Sequence, residues 1–170
     1  MREFNLNKLE GNIPIARGTG SIGDFDRVGQ RAPIEILKSM LASLSEGRIA
    51  DFVGEFGHQF TFGDHALDLQ FTEQHRLTEF LQKSRELFPD TVVEIVAAYQ
   101  IGNTAVAEWK LTATENAPFG SMNLRLPISL SGVSVAQVEK GKITHWSDYY
   151  DQLKSRRTAL AAAFTEWVEY

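Results

Sequence analysis

The chain of 170 residues contains no cysteine, which removes disulfides, thiolate nucleophiles and cysteine-ligated zinc in one step. No stretch approaches the about 20 consecutive apolar residues of a membrane span. The start, Met1-Arg2-Glu3-Phe4-Asn5-Leu6-Asn7, sets an acid and two amides where a secretory signal keeps an apolar run. A soluble cytoplasmic protein with no membrane partner is expected. Positive charge is also scarce: 17 Lys and Arg stand against 22 Asp and Glu, a net charge of −5, and the only adjacent pair of basic residues is Arg156-Arg157. That leaves no footprint for a phosphate backbone, so no nucleic-acid partner is expected. What is present is 43% hydrophobic residues, enough over this length for one globular domain that buries about 70% of the surface exposed by the unfolded chain.

Residues 1–33 read as an N-terminal arm. They hold five glycines and two prolines, and their apolar residues (Phe4, Leu6, Leu9, Ile13, Ile15) follow no period. From Ile34 the pattern changes: Ile34, Leu37, Leu41 and Leu44 recur at helical steps and Gly47 sits where a C-cap belongs. A shorter helix is expected over 49–55, then a strand through His58-Gln59-Phe60-Thr61-Phe62 ending at the turn signal Gly63-Asp64, and a short strand over 68–71. A third helix opens near Thr72, buries Leu77, Phe80, Leu81, the stem of Arg85 and Phe88, and stops at Pro89. Four β-rich runs follow, over 92–101, 104–114, 122–138 and 142–150, the first two joined by the hairpin signal Gly102-Asn103. The end, 151–170, returns to helical spacing. This order predicts an α+β domain in which one strongly curved, mostly antiparallel sheet wraps three helices, with a C-terminal helical extension over 152–170.

Cofactor motifs are lacking. His58, His65, His75 and His145 include no i, i+4 pair and no His-x-His, so neither a metal nor any other cofactor is expected. Gly18-Thr19-Gly20-Ser21-Ile22-Gly23 spells G-x-G-x-x-G but follows no strand and opens no apolar helix. There is no G-x-S-x-G elbow.

The stretch from Gly132 to Asp151, with Gly141-Lys142-Ile143 followed by Trp146-Ser147-Asp148-Tyr149-Tyr150-Asp151, resembles the final hairpin of the SnoaL-like polyketide cyclase and limonene epoxide hydrolase branch of the nuclear transport factor 2-like superfamily. There the pattern is Gly-Lys-Ile, then Trp-x-Asp-Tyr-aromatic-Asp. Ala107-Glu108-Trp109 and Phe62-Gly63-Asp64-His65 also fall where that superfamily places its middle strand and the end of its first strand. The resemblance covers roughly residues 34–151. It implies a cone of one curved sheet closed by three helices around a largely apolar pocket, usually dimeric through the outer sheet face. Because one scaffold hosts isomerases, cyclases, hydrolases and non-catalytic binders, the chemistry has to be argued from the pocket residues.

Period 2 sends Trp146, Asp148 and Tyr150 to one face of the last strand, and the resemblance puts that face inside. A carboxylate among aromatic walls loses solvation and its pKa rises, which suits Asp148 to exchange a proton near neutral pH; the alternative is that it only anchors a neighbouring amide or Arg. The epoxide hydrolases complete this position with Arg and Asp two residues apart on the middle strand. Here that strand reads Glu108-Trp109-Lys110-Leu111-Thr112, so epoxide hydrolysis by that route is not expected. Asp64-His65 matches the place where the related ketosteroid isomerases keep a proton-shuttling Asp, but residues 34–56 lack the Tyr and residues 132–138 the second acid of that machinery. Tyr150 or Tyr99 would have to donate instead, and Asp64 reads equally as an Asx-turn residue. His58 shares strand parity with Phe60 and Phe62, as a pocket residue or a core histidine. The expected site therefore has Asp148, Asp64 and His65 as catalytic groups, with His58, Phe60, Phe62, Trp109, Trp146 and Tyr150 around a small hydrophobic, carbonyl-bearing or cyclic ligand. The expected chemistry is cofactor-free isomerisation or cyclisation in a homodimer; the alternative is a non-catalytic binding or dimerisation module.

Overall fold

A computed structural model of the chain describes residues 31–119 and 122–151; most of the arm and the C-terminal helix expected from the sequence lie outside them. The first helix, α1 (Pro33–Ser45), starts with proline at its first position, and Glu35 accepts a hydrogen bond from the Ala32 N–H (3.0 Å). Proline there loses no helical bond, and the glutamate satisfies a donor that the helix leaves free. Gly47 then takes φ +70°, the left-handed conformation that ends the helix. Helix α2 (Ile49–Gly54) follows, then strands β1 (Phe56–Asp64) and β2 (Leu69–Phe71), helix α3 (Gln74–Leu87), and strands β3 (Val92–Ile101), β4 (Thr104–Phe119), β5 (Met122–Glu139) and β6 (Lys142–Tyr150).

The six strands form one curved sheet in the order β2-β1-β6-β5-β4-β3. All neighbours are antiparallel except β1 and β6, which run parallel and bring the first and last strands of the domain side by side. In that pairing Phe62 lies beside Trp146 and Asp64 beside Asp148. Strand β4 continues five residues beyond its expected end at 114 and pairs with β5 without interruption as far as Phe119 and Met122. Among the described residues no helix is long and apolar enough to cross a membrane.

The helices lie against the concave face. Ile36, Leu37, Met40 and Leu41 of α1 and Leu77 and Leu81 of α3 are buried there together with Ala105, Ala107, Ala136 and Val138 of the sheet. The alanines on β4 and β5 let α1 approach the sheet closely. Beside them sits an aromatic plug: Phe52 packs against Trp146 (centroids 5.3 Å), Phe56 against Phe60 (4.7 Å), and the rings of Phe62 and Trp146 are nearly parallel at 6.5 Å. Contacts of this geometry add to what area burial alone contributes.

Candidate active site

Next to the plug the cone is hollow. A cavity of about 480 Å³ is walled on the helical side by Leu41, Leu44, Phe52, Phe80 and Phe88, and on the sheet side by Phe62, Trp109, Leu111, Leu130 and Tyr150. This volume suits a small organic ligand. Asp64, Ser134, Asp148 and Tyr150 meet at one point of the sheet wall, which also carries Glu115 of β4.

Their order follows from strand register. Ser134 is the β5 neighbour of Asp148, and Asp148 the β6 neighbour of Asp64. The Trp109 indole N–H donates to Ser134 Oγ (2.8 Å), and the Ser134 hydroxyl donates to Asp148 Oδ1 (2.5 Å). Tryptophan can only donate, so the serine proton is directed to the carboxylate. Gly132 makes this possible: it pairs with Trp109 across β4 and β5, and a Cβ there would stand 2.5 Å from the indole ring. The second acid has a separate anchorage. Asp64 Oδ1 accepts from the N–H groups of Ala66 (3.1 Å) and Leu67 (3.0 Å), while Oδ2 accepts from the Tyr150 hydroxyl (2.9 Å). Asp64 is thus both a turn residue and part of the cavity wall.

Burial sets the protonation of Asp148. Burial pushes the Asp148 carboxyl up to about 7, and the neighbouring charge of Asp64 adds to the rise; the hydroxyl of Ser134 and the indole of Trp146 pull the other way without cancelling it. Removing a carboxylate from water penalises its charged form, and one serine donor restores only part of the lost hydration. The Trp146 indole nitrogen makes no hydrogen bond of good geometry and is the only fully buried side-chain polar atom among the described residues left so.

Of the residues singled out from the sequence, Asp64, Asp148, Phe62, Trp109 and Tyr150 meet at the cavity. Phe60 and Trp146 belong to the packed plug rather than to the cavity wall. His65 lies on the outside, exposed, its ring stacked on Tyr149 at 4.4 Å. His65 follows the last residue of β1 and opens the turn to β2, so its ring lies outside while Asp64 faces the cavity. His58 is exposed, neither in the core nor in the cavity, because an irregularity in β1 between Phe56 and Thr61 breaks the alternation that joined it to Phe60 and Phe62. Tyr99 is 64% exposed and far from a donor role inside the cone. Ser134 was not anticipated; its signal was the register that sets it beside Asp148. Among the described residues no three His, Asp or Glu gather as a metal-sized cluster.

A curved sheet folded over three helices, with an apolar hollow and acids on its sheet wall, defines the cone-shaped α+β class of nuclear transport factor 2-like proteins. The chain belongs to the SnoaL-like polyketide cyclase family, whose model matches residues 34–158. Solved structures with this fold include a protein assigned as a SnoaL-like polyketide cyclase from Shewanella denitrificans (16% identity, 76% of this chain and 97% of that one, TM-score 0.67). A protein of ketosteroid isomerase-like fold from Catenulispora acidiphila, in complex with trimethylamine, has 18% identity over 76% of this chain and 94% of its own, with TM-score 0.65. An LEH-like epoxide hydrolase of M. tuberculosis has 17% identity over 81% of this chain and 96% of its own, with TM-score 0.63. At these identities the likeness is one of fold. Among curated proteins none matches the sequence.

Proposed function

We propose that the cavity binds a small hydrophobic molecule bearing a carbonyl group or a ring, and that Asp148 exchanges a proton with the carbon next to that carbonyl. The observation that carries this reading is the pairing of an apolar hollow with a carboxyl whose pKa is pushed up to about 7. A base of that strength is half ionised at neutral pH and can both take and return a proton, the requirement for isomerisation or aldol-type ring closure without a cofactor. Tyr150 supplies the O–H for the developing enolate oxygen. To donate there it turns from Asp64, whose Oδ1 stays held by two backbone N–H groups. Trp109 and Ser134 hold the Asp148 carboxyl in place while its charge changes.

A second reading, a binder without turnover, is favoured by one observation: the Trp109, Ser134 and Asp148 chain is already closed on itself, as a purely structural network would be. In either reading a homodimer through the outer face of the sheet accounts for the exposure of Tyr149 (48%) and of Val92, Val96, Tyr99 and Ile101 on β3. Hydrogen-deuterium exchange separates the two readings without knowledge of the natural substrate. In D2O at pH 7.5, with 2-tetralone or a similar cyclic ketone, the protein is expected to accelerate exchange of the hydrogens next to the carbonyl, and Asp148→Asn to abolish the acceleration. Binding of the ketone with no acceleration in the wild type would leave the non-catalytic reading.

A further inference from the structure

The helical wall of the cavity carries a cation with no counter-charge among the described residues. Arg85, in the last turn of α3, lines the cavity, and its guanidinium is held by the carbonyls of Leu44 and Ser45 at the C-terminal end of α1, both at 3.4 Å from Nη1. A cation is favoured there by the negative end of the helix dipole. Its plane lies flat on Gly47, where a Cβ would come within 3.2 Å of Nε, so the α1 turn is shaped around it. Arg31 pairs with Glu55, and Arg48 with Glu46 and Asp51, both near the surface; half-buried Arg85 forms no ion pair with any described carboxylate, Glu115 of the same cavity included. Two long bonds to carbonyls leave most of its five N–H donors without a described acceptor.

A partly desolvated guanidinium facing apolar walls is costly unless it meets an anion, and its planar fork fits a carboxylate through two parallel hydrogen bonds. We propose that Arg85 forms a carboxylate subsite, so that the ligand is an amphiphilic organic acid: an apolar ring body spanning the cavity, its carboxylate on the helical wall at Arg85 and its reacting carbonyl on the sheet wall at Asp148. This rests on the cavity being a ligand site and adds the polarity of the ligand to it. An apolar cavity alone would prefer a neutral ring ketone to a ring acid, because the acid loses its hydration on entry. A preference for the acid is therefore diagnostic.

The test uses two probes with one ring system, 2-naphthoate and 2-acetonaphthone, titrated against the full chain by calorimetry at pH 7.5. The wild type is expected to bind the acid at least about tenfold more tightly than the ketone, an affinity that weakens as NaCl rises from 0.05 to 0.5 M while that of the ketone does not. Arg85→Gln is expected to bring the ratio to unity or reverse it, and Arg85→Lys, which keeps the charge but not the fork, to fall between. A purely capping role for Arg85 would lower melting temperature in both variants and leave the ratio as it was. Should Arg85→Gln not fold, the wild-type ratio and its salt dependence decide alone. Equal or weaker binding of the acid by the wild type, or a ratio unmoved in Arg85→Gln, overturns the subsite while the cavity reading stands. Failure of both probes to bind overturns both.

Discussion

The two halves of the cone are built from the same materials and behave differently. In one, Phe56, Phe60 and Trp146 interlock ring on ring with Phe52 and Phe62, which also face the cavity; in the other, Leu111, Leu130, Phe80 and Trp109 face each other across that cavity of about 480 Å³. The seam between them runs along a single strand, for Trp146 closes the packed half and Asp148, two residues on, opens the hollow one. A hollow gives up dispersion contacts that a filled core keeps. A buried acid gives up more. Asp148 ionises near 3.8 when unfolded and near 7 when folded. As pH rises through that interval the unfolded chain releases its proton first, so the folded state loses stability between about pH 4 and 7 and the loss is constant above. At about 1.4 kcal/mol per pKa unit this amounts to up to about 4 kcal/mol.

Asp148→Asn should therefore have the largest effect and split the two properties. Proton exchange at the ketone is expected to fall by about 10²- to 10⁴-fold, while thermal melts at pH 8 show a more stable protein than the wild type and melts at pH 3.5 show none of that gain. Asparagine still accepts from Ser134, so the fold keeps its network. Next in size, Phe56→Ala in the packed half should cost about 3 to 5 kcal/mol in urea unfolding, whereas Leu111→Ala on the hollow side should cost roughly 1 kcal/mol, having lost fewer neighbours; equal costs would erase the distinction between the halves. Gly132→Ala forces a methyl group into the space of the Trp109 ring. A loss of about 1 to 3 kcal/mol is expected, with a change in tryptophan fluorescence as the indole leaves Ser134. Smallest is Tyr150→Phe, about 1 kcal/mol in stability for the bond to Asp64, and its effect on exchange measures what the phenol contributes to the enolate.

How far this was readable beforehand depended on whether local rules were enough. The strands and their order along the chain were legible in alternation and turns, though not the parallel pairing of β1 with β6: Gly102-Asn103 does join β3 to β4, and Gly102 takes φ +59°. Trp146, Asp148 and Tyr150 share a face because nothing interrupts β6 between them. His58 fails the same rule because β1 is irregular between Phe56 and Thr61, where five residues of β1 pass against two of β6, so alternation does not run through it. Asp64 closes β1 facing the cavity, whereas His65 already belongs to the turn to β2 and leaves the strand's facing behind. Phe60 and Trp146 face inward as parity requires, yet parity does not say whether inward means packed or hollow; that depends on which helix lies above. Ser134 required the β5 to β6 register, and the role of Arg85 required knowing that the end of α1 lies beside α3. Both are long-range facts that the spacing of residues along the chain does not contain.

The most direct test is the titration of Asp148 itself. Carbon-13 NMR of the aspartate side-chain carboxyls, assigned by difference against Asp148→Asn, should show one resonance with a midpoint near pH 7. A midpoint near pH 4, the ordinary value for a hydrated aspartate, would contradict the claim that the hollow half of the cone holds a proton at its wall.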